Sequence, residues 1–226
     1  QNTDDAANPY NVYAKGAPET IFSLCKLDTA EKAKQAAALH KLANEGYRVI
    51  AVAEGVHAAG ELPEIQSQFT FFFKGLVGLT DPVRQEVGQA IKDCYTAGIK
   101  VIMITGDYPL TAASIAREIG LKPGGKMIAG PDLVKMSDQE LKECISEVTV
   151  FARVVPEQKL RIVQALKANN EIVAMTGDGV NDAPALKAAH IGVAMGKKGT
   201  DVAREASSLV LLDDNFASIV SAIRSG

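Results

Sequence analysis

"AMTGDGVNDAP", from Ala174 to Pro184, is the stretch whose reading decides the fold. An apolar run, Ile172–Met175, leads straight into two glycines, three Asp or Asn side chains and a segment of helical character. "VIMITGDYPLT", from Val101 to Thr111, repeats the layout: apolar run, Thr-Gly-Asp, helix-like segment. Further short runs rich in Val and Ile, at Lys100–Ile104, Val148–Phe151, Ile191–Met195 and Leu209–Leu212, alternate with segments of helical spacing. Val87, Ile91 and Cys94 share one helix face, as do Leu160, Val163 and Leu166–Lys167, the lysine through its alkyl stem. Near-continuous apolar strands alternating with helices predict an α/β fold, a Rossmann-like parallel sheet flanked by helices. Ligands of such sheets sit beyond the carboxyl ends of the strands. Both Thr-Gly-Asp stretches fall at that edge.

The first 80 residues read differently. "NVYAKGAPE" is a strand entering a Gly-Pro turn, and an Ala-rich helix, Ala30–Asn44, leads through Gly46 into the strand Arg48–Ala53. After "GELPE" comes the aromatic strand "FTFFFKGLVGL". The apolar run stops at Asp81-Pro82, where proline breaks it, so a boundary is expected there between an α+β segment (1–80) and an α/β segment (81–226).

Composition narrows the function classes. A chain of 226 residues, 47% hydrophobic and 23% charged, can bury a sizeable core as one large or two small domains. The net charge of −3 argues against nucleic acid as the main partner, although a single phosphate group can still be bound locally. Cys25, Cys94 and Cys144 are widely spaced, without a Cys-x-x-Cys pair, which argues against a disulfide framework or thiolate zinc site and favours a reducing, cytosolic setting. No stretch approaches the ~18 apolar residues of a membrane span.

The motifs carry the chemistry. In "TGDGVNDAP", Gly177 and Gly179 are expected to turn the chain sharply off the strand end, exposing Asp178. Asn181 and Asp182 then fall in the first helical turn, where amide N–H groups favour an anion. A carboxylate there suits Mg²⁺, which takes oxygen ligands and shares them with substrate phosphates. The competing reading is an N-cap, the common use of Asp or Asn before a helix. The Thr105 hydroxyl and Gly106 N–H are candidate donors to a phosphoryl group. "FARVVPEQKLRIV" ends a third strand, with Pro156 opening a helix and Lys159 one turn in, where an ammonium can neutralise charge on a transferring phosphoryl group.

The order Thr, Lys, Gly-Asp-Gly-x-x-Asn-Asp, each on a strand-end loop, resembles the haloacid-dehalogenase-like phosphohydrolase superfamily. "KGAPE" (Lys15–Glu19), "GYRVIAVA", "DPVR" (Asp81–Arg84), "MITGD", "FARVVPEQK", "MTGDGVNDAPALK" and "GVAMGKKGTDVAREASSLVLLDDNF" narrow the resemblance to the P-type cation-transporting ATPases, over nearly the whole chain. Val83 stands where that family's hinge has a second proline, and His190 where an acidic residue is expected; the latter reads as a local surface change. The resemblance implies a haloacid-dehalogenase-like phosphorylation domain joined to part of an α+β nucleotide-binding domain. It implies that Lys15, Gly16 and Arg48 contact ATP. Thr105, Gly106, Asp107, Arg153 and Lys159 would surround the phosphoryl group and the nucleotide phosphates. Asp178 would ligate Mg²⁺, Asn181 contact the transferring phosphate and Asp182 support the metal site.

These ATPases act through an aspartate in an Asp-Lys-Thr-Gly-Thr motif, which becomes an aspartyl-phosphate. No such motif occurs in this sequence; the resemblance places it upstream of Gln1, on the central strand of the sheet. The expectation is therefore a cytoplasmic piece of a pump in a bacterial inner or plasma membrane, inactive by itself. Its partners would be ATP, Mg²⁺, the upstream segment, an actuator domain, membrane helices and the cation those helices bind, with calcium the better guess. A stand-alone soluble phosphatase of the same superfamily and a non-catalytic nucleotide-binding module are the competing classes. "KGAPE", "GYRV" and "DDNF" speak against the first. "GKKGT" (Gly196–Thr200) is no Walker loop, since it lacks the spacing and the terminal Lys-Ser/Thr.

Overall fold

The computed structural model describes residues 10–58, 60–80, 82–122 and 124–225. The chain divides into two compact units, Gln1–Asp81 and Pro82–Gly226. Asp81, the first residue of the "DPVR" match, lies outside the described residues.

In the first unit, β1 (Tyr10–Gly16) leads into α1 (Pro18–Leu24) and α2 (Thr29–Asn44), followed by β2 (Arg48–His57) and β3 (Phe71–Leu79). The three strands form an antiparallel sheet in the order β1-β2-β3. Proline at the first position of α1 starts a helix that the sequence alone presents only as a turn. A capping box starts α2: Asp28 accepts the Glu31 amide at 2.8 Å while Glu31 reaches back to the Asp28 amide. Val49, Ala51 and Ala53 of β2 are buried on one face, where Ala51 and Ala53 join a core with Ile21, Phe22 and Phe71. The opposite face is open, and Tyr13 and Phe72 stay exposed on the sheet.

The second unit runs α3 (Val87–Thr96), β4 (Met103–Ile104), α4 (Pro109–Glu118), β5 (Lys126–Ala129), α5 (Gly130–Lys135), α6 (Asp138–Cys144), β6 (Val148–Ala152) and α7 (Pro156–Ala168). It continues with β7 (Ala174–Gly177), α8 (Ala183–Ala188), β8 (Ile191–Met195), α9 (Asp201–Glu205), β9 (Leu209–Leu211) and α10 (Phe216–Ser225). Among the described residues every strand pairing in this unit is parallel, in two sheets ordered β4-β6-β5 and β7-β8-β9. The parallel, helix-flanked α/β class is the one the apolar runs predict, with the pairing divided between two sheets. Gly98 and Gly120, both at φ 75°, close α3 and α4 in the left-handed region that a Cβ disfavours.

All five residues of β6 are buried. Phe151 packs with Ile162, Leu133, Leu141 and Ile145 on one side, and Val150 and Ala152 with Ile91, Ala112 and Ala116 on the other. Full burial of a side chain such as Phe151 contributes about 1.5–3 kcal/mol. A third cluster joins Val163, Val173, Met175, Leu186 and Ala194 beneath β7 and β8. Helix α7 belongs to both cores, through Ile162 and Val163, and Ile104 at the end of β4 packs against both. The two parallel sheets therefore share one helix and one strand end. Among the described residues β4 pairs only with β6, and β7 only with β8. No described helix is long and apolar enough to cross a membrane.

Candidate functional site

Four strand ends of the second unit are joined in series. The loop after β4 is a closed turn: the Thr105 hydroxyl donates to Asp107 Oδ2 at 2.9 Å and accepts the Asp107 amide at 3.1 Å. That turn is tied to the loop after β6 by backbone bonds, Arg153 N–H to the Asp107 carbonyl and Val154 N–H to the Thr105 carbonyl, both 3.1 Å. Arg153 has φ 55°, unusual for a residue with a side chain, and such strain collects at functional sites. Its guanidinium lies over the Tyr108 ring, 5.7 Å from the centroid. Gly130 makes this turn possible, because a Cβ there would lie 2.0 Å from the Arg153 carbonyl oxygen.

The loop after β6 enters α7 at Pro156, and one turn on Lys159 Nζ meets Asp182 Oδ1 at 2.6 Å. Both side chains are mostly buried, at 19% and 9% exposure, so the pair lies well out of water. The other oxygen of Asp182 accepts the amides of Asp178 (3.2 Å) and Gly179 (3.0 Å). Asp182 thus holds the Gly177–Asp182 turn from inside while anchoring Lys159. Thr200 N–H donates to the Asp178 carbonyl at 2.8 Å and brings in the loop after β8.

This arrangement separates the two uses open to the aspartates of this motif. Asp182 does the capping. The Asp178 carboxylate is exposed, and its side chain has no hydrogen-bond or ionic partner among the described residues. Asn181 is exposed beside it, on a 3-10 turn (Val180–Asp182) that precedes α8. The glycines act otherwise than the sequence leads one to expect. Neither Gly177 nor Gly179 has a positive φ, and Gly179 is extended at φ −103°, ψ 162°. Gly177 is required for close approach, since a Cβ would lie 2.5 Å from Asp182 Cβ.

Thr105, Gly106, Asp107, Arg153, Lys159, Asp178, Asn181 and Asp182 are therefore brought to one edge of the second unit. Lys15, Gly16 and Arg48 belong to the first. Lys15 pairs with Val52 across β1 and β2, and Arg48 lies four residues from Val52 on the same exposed face of the sheet. Gly16 has room for a side chain, the nearest atom to a Cβ being Ile21 Cδ1 at 3.9 Å. His190 makes a specific contact, in which its Nδ1 accepts the Val173 amide at 3.1 Å just before β7. Sequence reasoning did not single out Tyr108, Thr200 or Asp214. Only "DDNF" carried a signal for Asp214, as part of a resemblance.

Among the described residues no three His, Cys, Asp or Glu side chains converge as a ready metal cage. Asp178 would be one ligand of a metal whose other positions stay open to substrate phosphate, water or a further carboxylate. Mg²⁺ binds in that manner, through one or two carboxylates plus phosphate oxygens, so the donor set fits it.

A protein-family model described as haloacid dehalogenase-like hydrolase matches residues 13–190, and a second with the same description matches residues 159–223. Over 227 residues the chain is 50% identical to a calcium-transporting ATPase of Bacillus subtilis, covering 95% of this chain and 26% of that protein. It is 44% identical over 244 residues to calcium-transporting ATPase 1 of Yarrowia lipolytica, covering 99% of this chain and 25% of that protein. A sodium/potassium exporting P-type ATPase of Schizosaccharomyces pombe is 40% identical over 243 residues, with 99% and 23% covered. The chain spans about a quarter of the length of these curated relatives.

Proposed function

The chain belongs to the haloacid dehalogenase-like hydrolase family, and from that premise we propose that it is the ATP-binding and phosphorylation portion of an ATP-driven cation pump. The pump is an integral membrane protein, this portion lies in the cytoplasm, and the membrane is a bacterial inner or plasma membrane. The reaction is Mg²⁺-dependent ATP hydrolysis through an aspartyl-phosphate, coupled to movement of a cation by membrane helices outside this sequence. Calcium is the cation favoured by the names of the relatives. The observation that carries the reading is the division of labour at the strand end, with Asp182 holding the loop and the Asp178 carboxylate left without a partner among the described residues.

Each residue has a role its geometry allows. One of the three Lys159 N–H groups is engaged by Asp182, and two remain for phosphoryl oxygens. Thr105 and Gly106 line the same edge, in a turn whose shape the Thr105–Asp107 bonds fix before substrate arrives. Asp178 would hold Mg²⁺, with Asp182 supporting its loop and Asn181 contacting the transferring phosphate. When bound, the metal draws charge from the phosphoryl group and lowers the barrier to its transfer. Lys15 and Arg48, on one exposed sheet face, contact ATP from the first unit, with Gly16 lining the approach.

In this reading the nucleophilic aspartate comes from outside residues 1–226, on a strand that pairs with the open edges of β4 and β7. The apolar packing of Ile104 against both cores supports this. The whole pump should form an acid-stable, hydroxylamine-sensitive phosphoenzyme from ATP, dependent on Mg²⁺. The 226-residue chain alone should form none. A stoichiometric phosphoenzyme on the chain alone would overturn the assignment of roles.

A further inference from the structure

Gly196–Thr200, "GKKGT", is a turn that the proposed roles leave unused, and it is held from every side. The Asp214 carboxylate accepts the Lys197 amide on Oδ1 and the Lys198 amide on Oδ2, each at 2.9 Å. Arg204 donates to the carbonyls of Gly196, at 3.0 Å, and of Gly199. The turn admits no bulk at Gly199, where a Cβ would lie 1.9 Å from the Met195 carbonyl oxygen.

Asp214 is itself fixed. It is 6% exposed, its backbone sits at φ 54° in the left-handed region, and its carbonyl accepts from the Arg84 guanidinium. Burial opposes ionisation of its carboxyl group. The amides of Lys197, Lys198 and Gly196, with the Lys197 ammonium, outweigh that and hold it below the usual carboxylate range. The far end of the turn delivers the Thr200 amide to the Asp178 carbonyl at 2.8 Å. Asp178 is thus gripped at both backbone groups, its amide by Asp182 and its carbonyl by Thr200. A residue held in that way has its Cα–Cβ direction set before any ligand arrives.

We propose that Asp214 is a positioning residue: through the Lys197 and Lys198 amides it locks the Gly196–Thr200 turn, and through Thr200 it orients the Asp178 carboxylate. The inference rests on the reading of Asp178 as the Mg²⁺ carboxylate. Asp213, its neighbour, provides the control. That carboxylate accepts from the Ser218 hydroxyl at 2.6 Å and the Asn215 amide at 3.1 Å; it makes no hydrogen bond to the turn and meets it only through the charge of Lys197.

The test compares Asp214→Asn with Asp213→Asn in the whole pump. Asp214→Asn turns an amide NH₂ toward a backbone N–H. It should raise the Mg²⁺ concentration for half-maximal phosphorylation at least about tenfold, as loss of an outer support does at metal sites. ATP affinity measured without Mg²⁺ should stay unchanged. Asp213→Asn removes the same charge one residue away and should leave the Mg²⁺ dependence where it was. Equal shifts in both variants would reduce the effect to lost charge and overturn the proposal, as would no shift in Asp214→Asn. Hydrogen exchange of peptides covering 196–200 and 176–180 should quicken in Asp214→Asn and not in Asp213→Asn; unchanged exchange would also overturn it. If the unaltered pump forms no Mg²⁺-dependent phosphoenzyme, the functional reading fails, and the exchange experiment still decides the positioning role. Asp214→Glu, which keeps the charge but misplaces both oxygens, stands in should Asp214→Asn not fold.

Discussion

Thr105-Gly106-Asp107 and Thr176-Gly177-Asp178 are the same tripeptide, each at the end of a parallel strand, and they are built differently. In the first, Asp107 folds back onto its own threonine and the turn closes within three residues. In the second, the loop amides are taken by Asp182, four residues beyond Asp178, and the Asp178 carboxylate has no hydrogen-bond or ionic partner among the described residues. The tripeptide therefore does not determine the chemistry. What decides it is whether a later carboxylate takes over the capping, which frees the motif aspartate for a ligand.

The largest effect expected from this difference is at Asp178. In the whole pump, Asp178→Asn should lower phosphoenzyme formation by two to three orders of magnitude, about 2.7–4 kcal/mol of lost electrostatic stabilisation. The protein should unfold at nearly the same denaturant concentration, because the side chain supports nothing. Near-normal phosphorylation would break the comparison at its centre. Next is Asp182→Ala, which leaves the mostly buried Lys159 ammonium and the amides of Asp178 and Gly179 without their acceptor. A destabilisation of about 3 kcal/mol is expected, the low end for breaking a buried pair because Lys159 keeps some contact with water. A denaturation midpoint equal to that of the unaltered protein would show that Asp182 does not hold the loop.

The two glycines sharpen the contrast. A Cβ at Gly177 would lie 2.5 Å from Asp182 Cβ, whereas at Gly106 the nearest atom is the Val154 carbonyl oxygen at 4.0 Å. Gly177→Ala should cost about 1–3 kcal/mol through forced repacking. Gly106→Ala should stay within about 0.5 kcal/mol and even stabilise slightly, since alanine restricts the unfolded chain. Equal costs by urea denaturation would mean that the two turns are equally tight.

Much of this is legible in the residues themselves. Apolar runs mark β6 and β8 almost to the residue, and the position of polar motifs beyond strand ends points to the edge where eight of the candidate residues meet. Other features are hidden for physical reasons. The strand read at Ile172–Met175 is Ala174–Gly177, because pairing of Ala174 with Ile191 sets the register and leaves Ile172 at 78% exposure. Strand β5 is only four residues long, and its entry depends on Gly125 packing against Thr149, a contact no local pattern reveals. The Lys159–Asp182 pair spans 23 positions, and the grip of Asp214 on Lys197 spans 17. Such couplings come from the fold, and a sequence motif names only one end of each.

The smallest effect concerns the two threonines, and it tests whether the first turn is self-contained. Thr105 Oγ1 makes two hydrogen bonds within its turn, donating to the Asp107 carboxylate and accepting the Asp107 amide. Thr105→Val keeps the β-branched shape and removes both, leaving a donor and an acceptor to find water, so about 1 kcal/mol should be lost. Thr176 pairs with Val193 through its backbone, and its hydroxyl bonds to no other described residue. Thr176→Val should therefore change stability by less than about 0.5 kcal/mol, the usual range where no specific interaction is removed. Because both substitutions exchange a hydroxyl for a methyl group, strand propensity and side-chain volume nearly cancel between them. What remains in the difference of the two denaturation midpoints is the hydrogen bonding of the first turn alone. If Thr176→Val proved the costlier of the pair, the hydroxyl of the second loop would be holding that loop together, and Asp182 would no longer suffice as the reason Asp178 is available to a ligand.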